Sequence, residues 1–303
     1  MNNKQNFLAC FIIIIFYCAL IPGCSGSRTS TLSQVHAKSI EYNHKGMKAA
    51  EKGDYEKALD YYAKALKVNQ SIENVEGIAI GLINLSVLYE KIGDTSKAHD
   101  LVDSALSVPD ISDSVKSEAL YEKARLCLKD KEIAKAEEWA NRSLLLNKGL
   151  REGSRWNLLA KAFITEGRYE EAFNAVSAAL RLNRENNQRT EEANSLRLLA
   201  EINAKKGRFE ESKGFYIKAL DIDKELGDSR KIAITLIGLG ELYFRNGDYD
   251  NAIDFYIRAY NVSRSADDTA GTSQAAEFIS DAYKKSGHDK KAEEILKDHE
   301  TKK

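Results

Sequence analysis

From about residue 38 onward, apolar residues recur three and four positions apart, and nowhere do they alternate with period two. Leu236, Leu239 and Tyr243 share one side of a helical wheel, and after a short polar break Phe255, Tyr256 and Ala259 do the same. The pattern predicts paired amphipathic helices and no strands. The breaks inside the pairs share a motif of glycine, polar residue, aromatic, two polar residues and alanine. It reads Gly53-Asp54-Tyr55-Glu56-Lys57-Ala58, Gly167-Arg168-Tyr169-Glu170-Glu171-Ala172, Gly207-Arg208-Phe209-Glu210-Glu211-Ser212 and Gly247-Asp248-Tyr249-Asp250-Asn251-Ala252. Weaker copies lie at 93–98, 131–136 and 287–292. The alanine-equivalent positions are 58, 98, 136, 172, 212, 252 and 292, a spacing of 36 to 40 residues along the whole chain. Such a period describes modules that cannot bury their apolar faces alone and stack on one another to do so.

Each motif position has a physical task. Glycine closes the first helix where the backbone turns left-handed, and the polar residue after it begins the next turn. The aromatic staples that turn, and the small alanine lets the second helix approach the first. Composition supports an all-α chain. Of 303 residues only Pro22 and Pro109 are proline, and Ala, Leu, Glu and Lys recur at helical spacing.

At this point the motif resembles the tetratricopeptide repeat. Leu236, Leu239-Gly240, Tyr243, Gly247, Tyr249, Ala252, Tyr256 and Ala259 follow that family's pattern. The fourth unit carries its tryptophan as Trp156, followed by Leu159-Ala160, Phe163, Gly167, Tyr169 and Ala172. The third unit departs most, with Ala124, Cys127 and Lys131 where Gly, Tyr and Gly are usual. The resemblance implies an all-α, right-handed α-solenoid of about seven helix-turn-helix units over residues 38–303, and a protein or peptide ligand. The period exceeds the common value of about 34, which implies longer helices or links. Glu225-Leu226-Gly227-Asp228 is similar to links in the long-period repeats of kinesin light chain and of bacterial peptide-sensing regulators.

The first residues carry a different signal. Lys4 precedes an apolar run from Phe7 to Ile21, and Ile21-Pro22-Gly23-Cys24 follows. The run is shorter than the roughly 18 residues a membrane span needs. Its end resembles the lipobox of bacterial lipoproteins, from which Pro22 and the single charge before the run depart. The expectation is a signal peptide at 1–23, lipidation of Cys24, a flexible tether at 24–37 and a place in the bacterial cell envelope, periplasm-facing or at the outer membrane. Cys10 and Cys18 then leave with the signal, so Cys127 is a lone thiol and packing alone holds the fold.

Charge and motif content narrow the function classes. With 45 basic and 46 acidic residues, no net field draws the chain to nucleic acid. The five histidines, His36, His44, His99, His288 and His299, form no metal-ligand spacing. No Cys-x-x-Cys, phosphate loop or Gly-x-Ser-x-Gly elbow occurs. The expectation is a binding protein without catalytic residues, metal or cofactor. Cys127 replaces a core aromatic, so a buried inert thiol is the reading for it.

The resemblance also implies that the first helix of each unit lines a concave groove. Offsets from the repeat alanine place Ile80, Ile83, Asn84 and Val87 there in unit two, Tyr121 and Arg125 in unit three, and Asn157 and Lys161 in unit four. Unit five supplies Arg197 and Glu201; unit six supplies Ile234, Ile237, Glu241 and Phe244. Residues 79–89 and 232–244 are apolar almost all round. Either a partner covers the extra face, or the solenoid's own packing buries it. The lysine and asparagine clamp that binds acidic tails in this family is not reproduced, since Met47 follows Gly46 where the clamp has asparagine. Two functions fit: a membrane-anchored scaffold for a protein or peptide partner in an envelope assembly, or a peptide-sensing regulator.

Overall fold

The computed structural model describes residues 31–146, 149 and 151–300; the expected signal segment, Cys24 and the first part of the tether lie outside them. The described residues form fourteen α-helices in seven consecutive pairs, with no strand among them. In order they are α1 (Thr31–Glu51), α2 (Tyr55–Ser71), α3 (Val75–Ile92), α4 (Thr95–Leu106), α5 (Asp113–Lys129), α6 (Ile133–Leu146) and α7 (Glu152–Thr165). There follow α8 (Tyr169–Glu185), α9 (Arg189–Lys205), α10 (Phe209–Leu226), α11 (Ser229–Arg245), α12 (Tyr249–Ser265), α13 (Thr269–Lys285) and α14 (Asp289–Glu300).

The turns inside the pairs form as the motif requires. Gly247 has φ of 79°, and its N–H donates to the Phe244 carbonyl at 3.1 Å while the N–H of Asp248 reaches back to Tyr243 at 3.0 Å. Asp248 then caps α12, its carboxylate accepting from the N–H of Asn251 at 3.2 Å. Caps of this kind contribute about 0.5–2 kcal/mol each. In the degenerate third unit Lys131 takes the left-handed position itself, at φ 63°, a strained choice for a side-chain-bearing residue. In unit six the forty-residue period is filled by two 17-residue helices and three-residue links at 246–248 and 266–268.

The repeat alanines hold the pairs together. Ala58, Ala98, Ala172, Ala252 and Ala292 are 0% exposed, Ala136 is 1%, and Ser212 in the fifth unit is also 0%. Ser212 is tolerated there because its hydroxyl donates to the Ala200 carbonyl at 2.8 Å. Each odd-numbered helix touches the odd-numbered helices on either side, whereas no two even-numbered helices touch among the described residues. The odd-numbered layer is therefore the inner one, and the solenoid curves around it.

Two expectations change. Helix α1 begins at Thr31 rather than at residue 38, because 31–45 contains neither glycine nor proline to stop it and Ser39 is already buried. Most of the surplus aliphatics on α3 and α11 are absorbed by the solenoid. Leu82, Ile83 and Tyr89 pack on the cluster of Ala98, Val102 and Leu126, and Ile232 and Phe244 on that of Leu236, Leu239 and Tyr256. Only Ile80 and Ile92 on α3 and Ile234 on α11 stay exposed among them, at 40%, 43% and 44%.

Candidate functional site

The inner helices α5, α7, α9 and α11, with one residue each from α10 and α13, enclose a concave cavity of about 630 Å³. Its apolar floor is Leu158, Leu198, Ile234 and Ile237; its polar lining includes Tyr121, Asn157, Lys161, Glu201, Glu241 and Arg245. A second gap of about 390 Å³ shares Ile234, Ile237 and Gln274 with it. Tyr55, Glu90 and Lys129 from the first three units border that gap together with Arg230 from the sixth. The curvature thus brings early and late units to opposite sides of the groove mouth.

Eight of the fourteen residues expected in the groove line the larger cavity: Tyr121, Asn157, Lys161, Arg197, Glu201, Ile234, Ile237 and Glu241. The other six do not. Ile83 and Phe244 are drawn into the core as described, Phe244 packing edge-on against Tyr249 at 5.3 Å between centroids. Ile80 is exposed, Val87 half-buried, and Asn84 donates to Asn43 at 3.4 Å between units two and one. Arg125 is engaged by Glu122 at 2.7 Å and Glu90 at 3.2 Å. Burial opposes its charge, but the two carboxylates outweigh burial and raise its pKa.

Several of the eight are also partly spent on holding repeats in register. Arg197 donates to Asp223 at 2.6 Å and to Thr235 at 2.9 Å, and Thr235 donates to the same Asp223 oxygen at 2.8 Å. Burial pulls the Arg197 pKa down, and Asp223 counters it. Asn157 accepts from Ser195 at 2.8 Å and donates to the Glu191 carboxylate at 3.3 Å. On the same helix, Arg155 reaches back to unit three, donating to Ser143 at 2.8 Å and to Glu118 at 2.5 Å. These bonds form a largely buried polar seam that joins α5, α6, α7, α9, α10 and α11. Lys161 and Glu201 close a pair across units four and five at 2.9 Å.

Tyr216 was not legible as a groove residue because it sits on an outer helix. Its ring crosses between layers over Gly238, where a Cβ would lie 2.6 Å from Tyr216 Cε1, and so reaches the cavity. The spacing of Tyr216 and Gly238 is the one sequence signal for it. Burial first, then the charges of Glu201 and Glu241, raise the phenol pKa, so its hydroxyl stays a donor at neutral pH. Burial also pushes the Tyr121 phenol up to about 12. Cys127 is buried, and burial raises its thiol pKa, against nucleophilic use.

A family model described as tetratricopeptide repeat matches residues 39–109, 151–225 and 231–301, more than half of the chain. No curated protein matches the sequence. Among solved structures, a Rap protein complexed with competence and sporulation factor aligns with a TM-score of 0.67 at 14% identity, covering 88% of this chain and 76% of that one. NprR in complex with its cognate peptide NprX aligns at 0.60 and 18% identity, covering 88% and 77%. BtubC from P. vanneervenii aligns at 0.54 and 23% identity, covering 70% and 89%. At these identities the likeness speaks to fold.

Proposed function

Since the chain belongs to the tetratricopeptide repeat family, we propose that it is a binding scaffold whose inner groove takes a peptide segment of a protein partner. The observation that carries the reading is the cavity of about 630 Å³, with its apolar floor set between polar and charged groups. Its size falls in the range of roughly 300–1,000 Å³ typical of ligand sites. The floor supplies affinity by burying aliphatic side chains, and the flanking polar groups penalise ligands that leave them unpaired. The fold likeness to NprR in complex with its cognate peptide supports a peptide as the kind of ligand.

A photo-crosslinking residue placed at Ile234, inside the groove, tests this against one at Ile217, which is 42% exposed on the outer helix α10. The reading requires a peptide adduct from position 234 that is absent from position 217. Equal adducts from both positions would remove the groove as the site.

The lipobox-like Ile21-Pro22-Gly23-Cys24 supports a further element of the proposal, that the scaffold is held at a membrane of the bacterial cell envelope by lipid on Cys24. Cys24→Ala should then leave the precursor unprocessed or release the protein from the membrane fraction; unchanged lipid labelling of this variant would defeat it. A stable complex recovered from detergent-solubilised envelopes favours a role in assembling an envelope complex, whereas a free short peptide favours a sensing regulator.

A further inference from the structure

The groove contains a charge that its own pairs do not neutralise. Lys161 is paired with Glu201, Arg197 with Asp223, and Glu191 accepts from Asn157. Glu241 lines the same cavity, half-buried on α11, with no hydrogen bond or ion pair among the described residues. Burial raises its pKa; Arg245 opposes the rise, Glu201 adds to it, and the more distant charges of Lys161 and Lys205 oppose it without bonding to Glu241. Arg245 stands one helical turn further on, exposed at the groove rim, and makes no ion pair with Glu241. The Tyr216 phenol, held over Gly238, borders the same space.

A half-desolvated carboxylate without a partner is unfavourable, and within an open groove an incoming cation is what relieves it. We infer that Glu241 is the recognition point for a cationic nitrogen of the bound peptide, either a lysine or arginine side chain or a free amino terminus. This rests on the peptide-groove reading and adds to it a ligand chemistry. Ile237 and Ile234, one and two turns earlier on the same helix, bury the apolar part of the ligand, and Glu241 selects among ligands by charge. Arg245 competes with the ligand for Glu241.

The test uses the full chain immobilised and three pools of random nonapeptides otherwise free of Lys, Arg and His. The first pool is acetylated with one central lysine, the second has a free amino terminus, and the third is acetylated with norleucine in place of the lysine. Retention of the first or second pool should exceed that of the third by about tenfold, the lysine pool marking a side chain and the free-terminus pool an amino terminus. Glu241→Gln, with unchanged circular dichroism, should erase that difference while leaving the third pool unaffected. Arg245→Ala should enlarge it. If the three pools are retained equally and Glu241→Gln changes nothing, the inference is overturned while the groove reading stands. If Ile234→Trp, which fills the groove from an exposed position, leaves retention of every pool intact, the groove reading itself fails.

Discussion

The ring of Tyr216 fills the space that a side chain at position 238 would need, with Cε1 and Cζ at 2.6 and 2.8 Å from where a Cβ on Gly238 would stand. The same device closes units internally: Tyr256 lies over Gly240, at 2.4 Å from Cε1, and Tyr62 over Gly46, at 2.7 Å. These glycines sit in helix interiors, so they are there for space and not for a left-handed backbone. An aromatic from an outer helix is laid flat across an inner one, which lets the layers approach and brings Tyr216 into the groove.

Gly238→Ala should therefore displace Tyr216 and destabilise the solenoid by about 1–3 kcal/mol, since the new Cβ would stand 2.6 Å from Cε1 and the ring must give up its packing over α11. Urea unfolding checks the size. In a double-mutant cycle, Tyr216→Leu should lower the cost of Gly238→Ala; additive effects would show that the two positions do not meet.

The buried pair of Arg197 and Asp223, whose side chains are 10% and 0% exposed, lies within unit five and is tied to unit six through Thr235, which accepts from Arg197 and donates to Asp223. Asp223→Ala leaves an uncompensated guanidinium, at a cost of about 3–5 kcal/mol. Thr235→Val removes two hydrogen bonds to charged groups, one accepted from Arg197 and one donated to Asp223, and costs about 1–3 kcal/mol. Hydrogen exchange on α9 to α11 should report both, and protection unchanged by Asp223→Ala would show that the pair does not hold these units.

Glu241 makes a pH prediction with a definite sign. Its folded pKa is raised above the ordinary value of 4.5, so the folded protein holds this proton more tightly than the unfolded chain does. Its ionisation opposes folding once pH rises through the raised value, and the penalty disappears below about 4.5. Glu241→Gln should thus be more stable than the parent at pH 7 and lose that advantage in acid. Thermal melts of both proteins from pH 4 to 8 decide it, and parallel curves would contradict an unpaired, half-buried carboxylate.

Ala252 is 0% exposed between α11 and α12. Ala252→Trp should force the two helices apart at a cost of about 1–3 kcal/mol or more, visible as a lower melting temperature. An unchanged melt would mean that the repeat register is misplaced.

The local grammar of this chain was written in its sequence. Gly247 and Asp248 specify a left-handed stop and a helix cap through their own backbone and side-chain chemistry, and the period of the buried alanines marks each helix pair, because these effects act within a few residues. The inner-helix offsets likewise put Lys161, Glu201, Ile234 and Glu241 on the side that lines the cavity. What tertiary structure decided was where side chains with two available environments went. Ile83 and Phe244 share the helical offsets of groove residues, yet neighbouring units offered them apolar packing. Asn157 and Arg197 turned their polar groups to Ser195, Glu191, Asp223 and Thr235, because a buried polar atom must find a partner and the next repeat held one. Tyr216 reached the groove across a glycine on another helix. Each outcome depends on the shape of a space enclosed by residues some twenty to forty positions away, and the spacing of apolar residues along one helix does not encode that shape.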